Sequence, residues 1–98
     1  MKKIAIIIAS HQGLAQALTI HRELPETELF YAGEGQENPC TSIDSIPAFV
    51  AANFTRYEGL VFIGALGICV RAIAPCIHSK YTDPAVVNID STGKHVIS

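Results

Sequence analysis

The sequence carries little charge of either sign: seven Lys and Arg stand against nine Asp and Glu, a formal net charge of −2 over 98 residues. That scarcity removes the strongly basic face, with an isoelectric point above about 9, through which nucleic-acid binders neutralise phosphates. It equally removes support for a role at a membrane surface. Long apolar runs are missing as well, since no stretch approaches the roughly 18 to 20 residues of a membrane-spanning helix. The run Ile4 to Ala9 behind Lys2 and Lys3 is only six residues. A signal-peptide core needs about seven to fifteen, and a helix signal follows at once, so the run reads as a buried strand. Disorder-promoting runs, internal repeats and low-complexity tracts are also lacking. With 49% apolar side chains, a disordered tail is excluded.

Cysteine is sparse and odd in number: Cys40, Cys69 and Cys76. Two of them sit in apolar surroundings, where a free thiol behaves as a small hydrophobe, and a reducing cytosol is the simplest compartment. Neither these cysteines nor His11, His21, His78 and His95 show metal-ligand spacing, so no metal site is expected. One domain is expected over 1–98, natural domains running about 50 to 250 residues. At this size roughly 60 to 70% of the unfolded surface is buried, enough for a core without staples.

What is present is an alternation of strand and helix signals. Lys3 to Ala9 is a continuous β-branched run, which suits a central strand covered on both faces. Ser10 to Gly13 turns into a helix from about Leu14 to Glu23, with Leu14, Ala17 and Leu18 on one stripe, ended by Leu24-Pro25. Glu28 to Ala32 is a second strand, followed by the loop-like Gly33 to Pro39. Ser42 to Phe54 reads as a helix capped by Asp44 or Ser45, with Pro47 in its first turn and Ile46, Phe49, Val50 and Phe54 buried. Leu60 to Ile63 is a third buried strand. The turn Gly64-Ala65-Leu66-Gly67 opens a third helix, whose stripe is expected to be Leu66, Cys69, Val70, Ile73, Ala74 and Ile77, with Pro75 ending or kinking it. Ala85 to Ile89 and Lys94 to Ile97 are predicted as a hairpin around Asp90 to Gly93. The expected fold is an α/β layered sandwich with a mostly parallel sheet of four or five strands and three helices, flavodoxin-like in outline.

Ligands of such sheets bind beyond the carboxyl ends of the strands. That rim is predicted to hold Ser10 to Gly13, Gly33 to Gln36, Gly64 to Gly67 and Asp90 to Gly93. Two of these turns feed helix N-termini, where unpaired N–H groups and the helix dipole favour an anion. Gly64-x-x-Gly67 is the better cradle, because Arg71 lies one turn further along the face of Gly67, which favours a ligand with carboxylates or phosphates. The alternative is that the glycines serve only turn geometry and packing, with Arg71 paired to an acid such as Asp90. Neither a P-loop nor a dinucleotide fingerprint is present. His11 stands at the rim, where an imidazole could move protons, or is simply an exposed turn residue. Asp90 could orient a base, or merely initiate its turn. Lys80 and Asp83 belong to the opposite rim, where Asp83-Pro84 reads as a strand-entry device.

From Leu60 onward the residues become specific. Leu60-Val61-Phe62-Ile63-Gly64-Ala65-x-Gly67-Ile68-x-Val70-Arg71-x-Ile73-Ala74-Pro75, then Lys80-x-x-Asp83-Pro84-Ala85-Val86-Val87, then Asp90-x-x-Gly93-x-x-Val96-Ile97-Ser98, closely resembles the N-terminal domain of the CbiG family. These are the cobalt-precorrin-5A hydrolases of anaerobic cobalamin (vitamin B12) biosynthesis. Ser10-x-x-Gly13 resembles the family's Thr-x-x-Gly turn after the first strand, whereas residues 24–45 match only in layout.

The resemblance implies a hydrolase that opens the δ-lactone of a cobalt-bearing tetrapyrrole and releases acetaldehyde. It implies no cofactor beyond the cobalt that the substrate carries. It also implies that residues 1–98 are one domain of a longer chain, either a stand-alone hydrolase or a fusion with another corrin-pathway enzyme. The family's Leu-Leu-Ser-Gly-His and Gly-Gly segments would follow Ser98. The many acetate and propionate arms of such a substrate agree with an anion-binding rim of Ser10, His11, Gly13, Gly64, Gly67, Arg71 and Asp90. Departures are Leu66, where a small or polar residue is common, and Cys69, where an aliphatic one is usual; His11 stands at a free position. No catalytic residue can be read off. A second possibility is a non-catalytic anion-binding or docking module of flavodoxin-like or receiver-like type. Against a receiver, the first and third strand ends carry Ser10, His11, Gly64 and Ala65 in place of an acidic cluster.

Overall fold

A computed structural model describes residues 3–33, 40–78, 83–90 and 95–97. Its elements are β1 (Lys3–Ile8), a 3-10 turn (His11–Gly13), α1 (Leu14–Glu23), β2 (Thr27–Tyr31), β3 (Thr41–Ser42) and α2 (Ile46–Asn53). They continue with β4 (Tyr57–Ile63), α3 (Leu66–Ile73), a second 3-10 turn (Ala74–Cys76), β5 (Ala85–Ile89) and β6 (His95–Ile97). Six strands form one sheet in the order β3-β2-β1-β4-β5-β6. All neighbours are parallel except β5 and β6, which form the expected antiparallel pair. Without the two-residue β3, the spatial order counted along the chain is 2-1-3-4-5, the flavodoxin-like arrangement.

β1 is central because both of its faces are apolar. Ala5 and Ile7 enter the core formed with α2 and α3, where Val50, Phe54, Cys69, Ala72 and Ile73 pack on Leu60, Phe62 and Val86. Ile6 and Ile8 turn the other way, onto Ala17 of α1 with Leu29, Tyr31 and Ile63. The unbroken apolar run of β1 is therefore the signature of a strand covered on both sides. α2 begins where Ser45 caps it, its Oγ accepting from the Ala48 amide at 3.3 Å, with Pro47 in the first turn.

The structure departs from the sequence reading at four places. Thr41–Ser42 form a strand that was read as loop and helix start, so α2 opens four residues later than Ser42, at Ile46. β4 starts at Tyr57 rather than Leu60, because Gly59 pairs in the ladder and Glu58 is accommodated by a bulge opposite Lys3 and Ile4. The sheet has six strands rather than four or five. The α3 stripe is only partly as expected: Cys69 and Ile73 are buried and Ala72 joins them, while Ala74 is exposed and Leu66, Val70 and Ile77 are 44%, 49% and 56% exposed. Pro75 does end the regular helix, standing in the 3-10 turn after Ile73. Lys80, Tyr81 and the turn residues Ser91 to Gly93 lie outside the described residues. No described helix is long and apolar enough to cross a membrane, and among the described residues Cys40, Cys69 and Cys76 form no disulfide.

Candidate functional site

The chain builds β1, β2 and β3 outward in one direction, then returns to the other side of β1 to build β4 and β5. The loops leaving β1 and β4 therefore diverge, and a crevice opens between them. Ladder bonding continues just past the strands: the Ala9 amide donates to the Ile63 carbonyl at 3.0 Å, and the Gly64 amide donates to the Ile89 carbonyl at 2.9 Å. Gly64 then adopts φ +152°, and a Cβ there would lie 2.8 Å from the Ala9 Cβ. Only glycine satisfies both the backbone conformation and the approach of the two loops.

The resulting cleft of about 320 Å³ is lined by Ala9, Ser10, Gln12, Gly64, Ala65, Ile68 and Asp90. Ser10, Gly64 and Asp90 of the predicted rim are thus brought together. Gly13 lies beneath it, buried: a Cβ at Gly13 would meet the Ile63 Cγ2 at 2.5 Å, so this residue lets the first turn sit on β4. His11 is exposed in the 3-10 turn and does not line the cleft. Gly67 and Arg71 lie on the outer side of α3, with the Arg71 Nη2 3.7 Å from where a Gly67 Cβ would stand. Among the described residues Arg71 makes no ion pair. Asp83 lies at the amino end of β5 and accepts from the His78 amide at 2.7 Å, consistent with strand entry.

Beside the Ser10 hydroxyl and the Gln12 carboxamide, the α3 turn brings main-chain donors. Ala65 caps α3 without a side-chain hydrogen bond, and the Ile68 amide is taken by the Ala65 carbonyl at 3.1 Å. Among the described residues the amides of Ala65, Leu66 and Gly67 have no such partner. They stand at the positive end of the helix dipole, beside a guanidinium. The amides of Gly64 and Ile68, on either side of these three, are already engaged. Asp90 brings a carboxylate to the same cleft, suited to accepting from a hydroxyl or water rather than to meeting an anion. Cys69 offers no nucleophile: it is buried, and desolvation pushes its thiol up to about 11.

Larger hollows lie elsewhere. One of about 440 Å³ sits at the amino ends of β2 and β4, by His21, Glu28 and Tyr57. Another of about 360 Å³ sits between α2 and the end of α3. Neither borders the reversal of strand order or a set of open amides.

One residue escaped the sequence reading. Asn88, 3% exposed in β5, donates from Nδ2 to the Gly64 carbonyl at 3.3 Å, and its Oδ1 is buried without a hydrogen-bond partner. The signal for it was a lone polar side chain inside the apolar run Ala85 to Ile89.

Comparison with known proteins adds a family to this geometry. The family described as cobalamin synthesis G N-terminal matches residues 48–98. A cobalt-precorrin-5A hydrolase of Salmonella typhimurium is 41% identical over 98 residues, covering 99% of this chain and 28% of the relative. A protein of the same name from Priestia megaterium is 33% identical over 100 residues, covering 96% of this chain and 27% of the relative. The chain thus spans just over a quarter of the length of these relatives. Among solved structures, a cobalamin biosynthesis protein G homologue from Sulfolobus solfataricus superposes with a TM-score of 0.73 at 22% identity, over 98% of this chain and 28% of that one, which shows a shared fold. With its glycine turn, cleft and fold all in the matched region or the superposed sheet, the chain belongs to the cobalamin synthesis G N-terminal family.

Proposed function

We propose that this domain is the substrate-carboxylate-binding part of a cobalt-precorrin-5A hydrolase of cobalamin biosynthesis. The observation that supports it from the structure is the open α3 N-terminus. Three amides without described partners, Ala65 to Gly67, open α3 at the strand-order reversal; Ala65 lines the cleft, and Arg71 lies by Gly67 on the outer side of the helix. A tetrapyrrole carrying acetate and propionate arms supplies the anions for which such donors are suited. Its cobalt comes with the substrate, and the domain needs no cofactor of its own for this role. Complementarity is local, since the net charge is slightly negative.

In the proposed reaction water adds to the lactone carbonyl and the ring C–O bond breaks, leaving a carboxylate and a hydroxyl. The extruded carbon, now bearing that hydroxyl and its methyl group, then departs as acetaldehyde: the hydroxyl proton is lost, the C–C bond to the macrocycle breaks, and the macrocycle keeps the electron pair. Main-chain N–H groups at Ala65 to Gly67 are suitable donors for either a bound carboxylate or the tetrahedral oxyanion. The remaining domains of the whole protein, or a fused corrin-pathway enzyme, are the natural source of the group that activates the water. A cytoplasmic location fits free thiols in a reducing compartment.

The test is acetaldehyde release from cobalt-precorrin-5A by the whole protein, with a known relative as positive control; no release under conditions where the relative works rejects the reading. Arg71→Ala in the same protein should weaken tetrapyrrole binding about tenfold, the loss of one charged hydrogen bond. Folding stability should stay within about 0.5 kcal/mol, since the side chain is exposed. A collapse of stability with unchanged binding would make Arg71 a structural residue. Titration with a corrinoid carboxylate and with a nucleotide distinguishes this role from a generic anion-binding or docking module, which nucleotide binding alone would favour.

A further inference from the structure

Alternation along β5 places Val86 and Asn88 on the face covered by α2 and α3, both buried. A valine or isoleucine in place of Asn88 would serve packing and strand propensity equally and would leave no orphaned polar atom. Instead an amide is buried with its Oδ1 unpartnered, and its single hydrogen bond goes to Gly64.

That choice matters because of what Gly64 does. Its φ of +152° directs the chain from β4 into α3, and β5 grips it from both ends. The Gly64 amide donates to the carbonyl of Ile89 at 2.9 Å, while the Gly64 carbonyl accepts from the side chain of Asn88 at 3.3 Å. With both polar groups of Gly64 held by consecutive residues of one strand, the peptide plane that carries the Ala65 amide at the cleft is held, and the amides of Leu66 and Gly67 follow from it in the first turn of α3. A buried polar group that contributes little to packing and fixes the backbone of a binding turn is the pattern expected of a supporting residue.

We propose that Asn88 is a positioning residue: it holds the Gly64 carbonyl so that the amides of Ala65 to Gly67 keep the direction in which they receive a substrate carboxylate. The inference rests on the binding role proposed above. Its test uses the whole protein with Asn88→Leu, which keeps the branching and heavy-atom count of the side chain and removes the donor, and with Asn88→Ala in case the bulkier leucine is not accommodated. Two readouts are taken. Hydrogen exchange of the Gly64 and Ile68 amides, the two in this turn that are hydrogen-bonded, should speed at least about tenfold while the β1 segment is unchanged. For cobalt-precorrin-5A, KM should rise about tenfold with kcat within about twofold, the sign of lost ground-state binding. The melting temperature of Asn88→Leu should not fall, because the orphaned oxygen leaves with the donor. Unchanged exchange at the turn overturns the inference, as does an active variant with unaltered KM. A lower melting temperature with KM unaltered overturns it too and makes Asn88 a core residue only. If the wild type hydrolyses no cobalt-precorrin-5A but turn exchange rises in the variants, the hydrolase reading falls and the positioning of the turn by Asn88 stands.

Discussion

Gly64 is constrained twice, by conformation and by space. An alanine there would hold a strained φ and press its methyl 2.8 Å from the Ala9 Cβ. Gly64→Ala should therefore cost about 1–3 kcal/mol of folding stability, measured by chemical denaturation. A cost below the error of such a measurement would mean that the turn relaxes freely. The importance of this glycine was legible from its place between a buried run and a helix stripe. Its partner Asn88 was not, because a single polar residue in a strand says nothing of which carbonyl it reaches until the sheet brings β5 beside β4. Gly13 was read as a rim residue, and the sequence motif is the same; its contact with Ile63 across the β1–α1 turn belongs to packing that no local spacing encodes.

At the level of elements, α3 is the place where periodicity misled. The expected stripe joined two rows, Leu66, Val70 and Ile77 with Cys69 and Ile73, and an almost wholly apolar helix offers either. Burial against β4 and β5 selects the second. Ile73→Ala should then cost about 2–5 kcal/mol, whereas Val70→Ala, at a half-exposed position, should stay within about 0.5 kcal/mol. Equal costs in denaturant melts would restore the first row to the core.

β4 also extends further than its apolar run because its first residue is tied to a neighbour two strands away. The Tyr57 hydroxyl donates to the Glu28 Oε1 at 2.7 Å, and the Lys3 Nζ lies 3.4 Å from Oε2, joining the amino ends of β1, β2 and β4. Burial, and then the bond to Glu28, push the Tyr57 phenol up to about 12. The bond from Tyr57, reinforced by Lys3, holds the Glu28 carboxyl below its ordinary range. A raised phenol pKa means that the folded state keeps its proton more tightly, so this stabilisation is intact below about pH 10 and is lost as pH climbs towards 12. The depressed carboxyl works in the other direction: its share is present at neutral pH and is lost as pH falls through the carboxylate range. Tyr57→Phe should cost about 1 kcal/mol at neutral pH and make the alkaline decline of stability shallower. An unchanged alkaline profile would exclude Tyr57 as a contributor. Nothing in the spacing of Lys3, Glu28 and Tyr57 announces this cluster, which exists only through strand register.

For the molecule as a whole, strand and helix alternation, the centrality of β1 and the flavodoxin-like order followed from the two unbroken apolar runs and the turns after them. The missing pieces were those decided by the sheet edge, such as Thr41–Ser42, whose exposed side chains carry no strand pattern. The same wrapping of the core makes a global prediction. Cys69 is buried with its thiol pushed up to about 11, while Cys76 is partly exposed. Alkylation at mildly alkaline pH should modify Cys76 quickly and Cys69 only at the rate of unfolding, as peptide mapping of a time course would show. Equal rates would mean that α3 opens independently of the sheet.

The central position of β1 has a consequence for synthesis. Within residues 1–98, β1 is made before every layer that packs upon it, and its β4 side finds no partner until residue 63 has been made. Until then Ile4 to Ile8 present an unpaired, wholly apolar edge, the kind of surface on which nascent chains associate wrongly. Rapid pairing with β2 covers one side of it. The other stays open for the making of α2, so the yield of folded protein in cells should depend on what shields those few isoleucines in the interval.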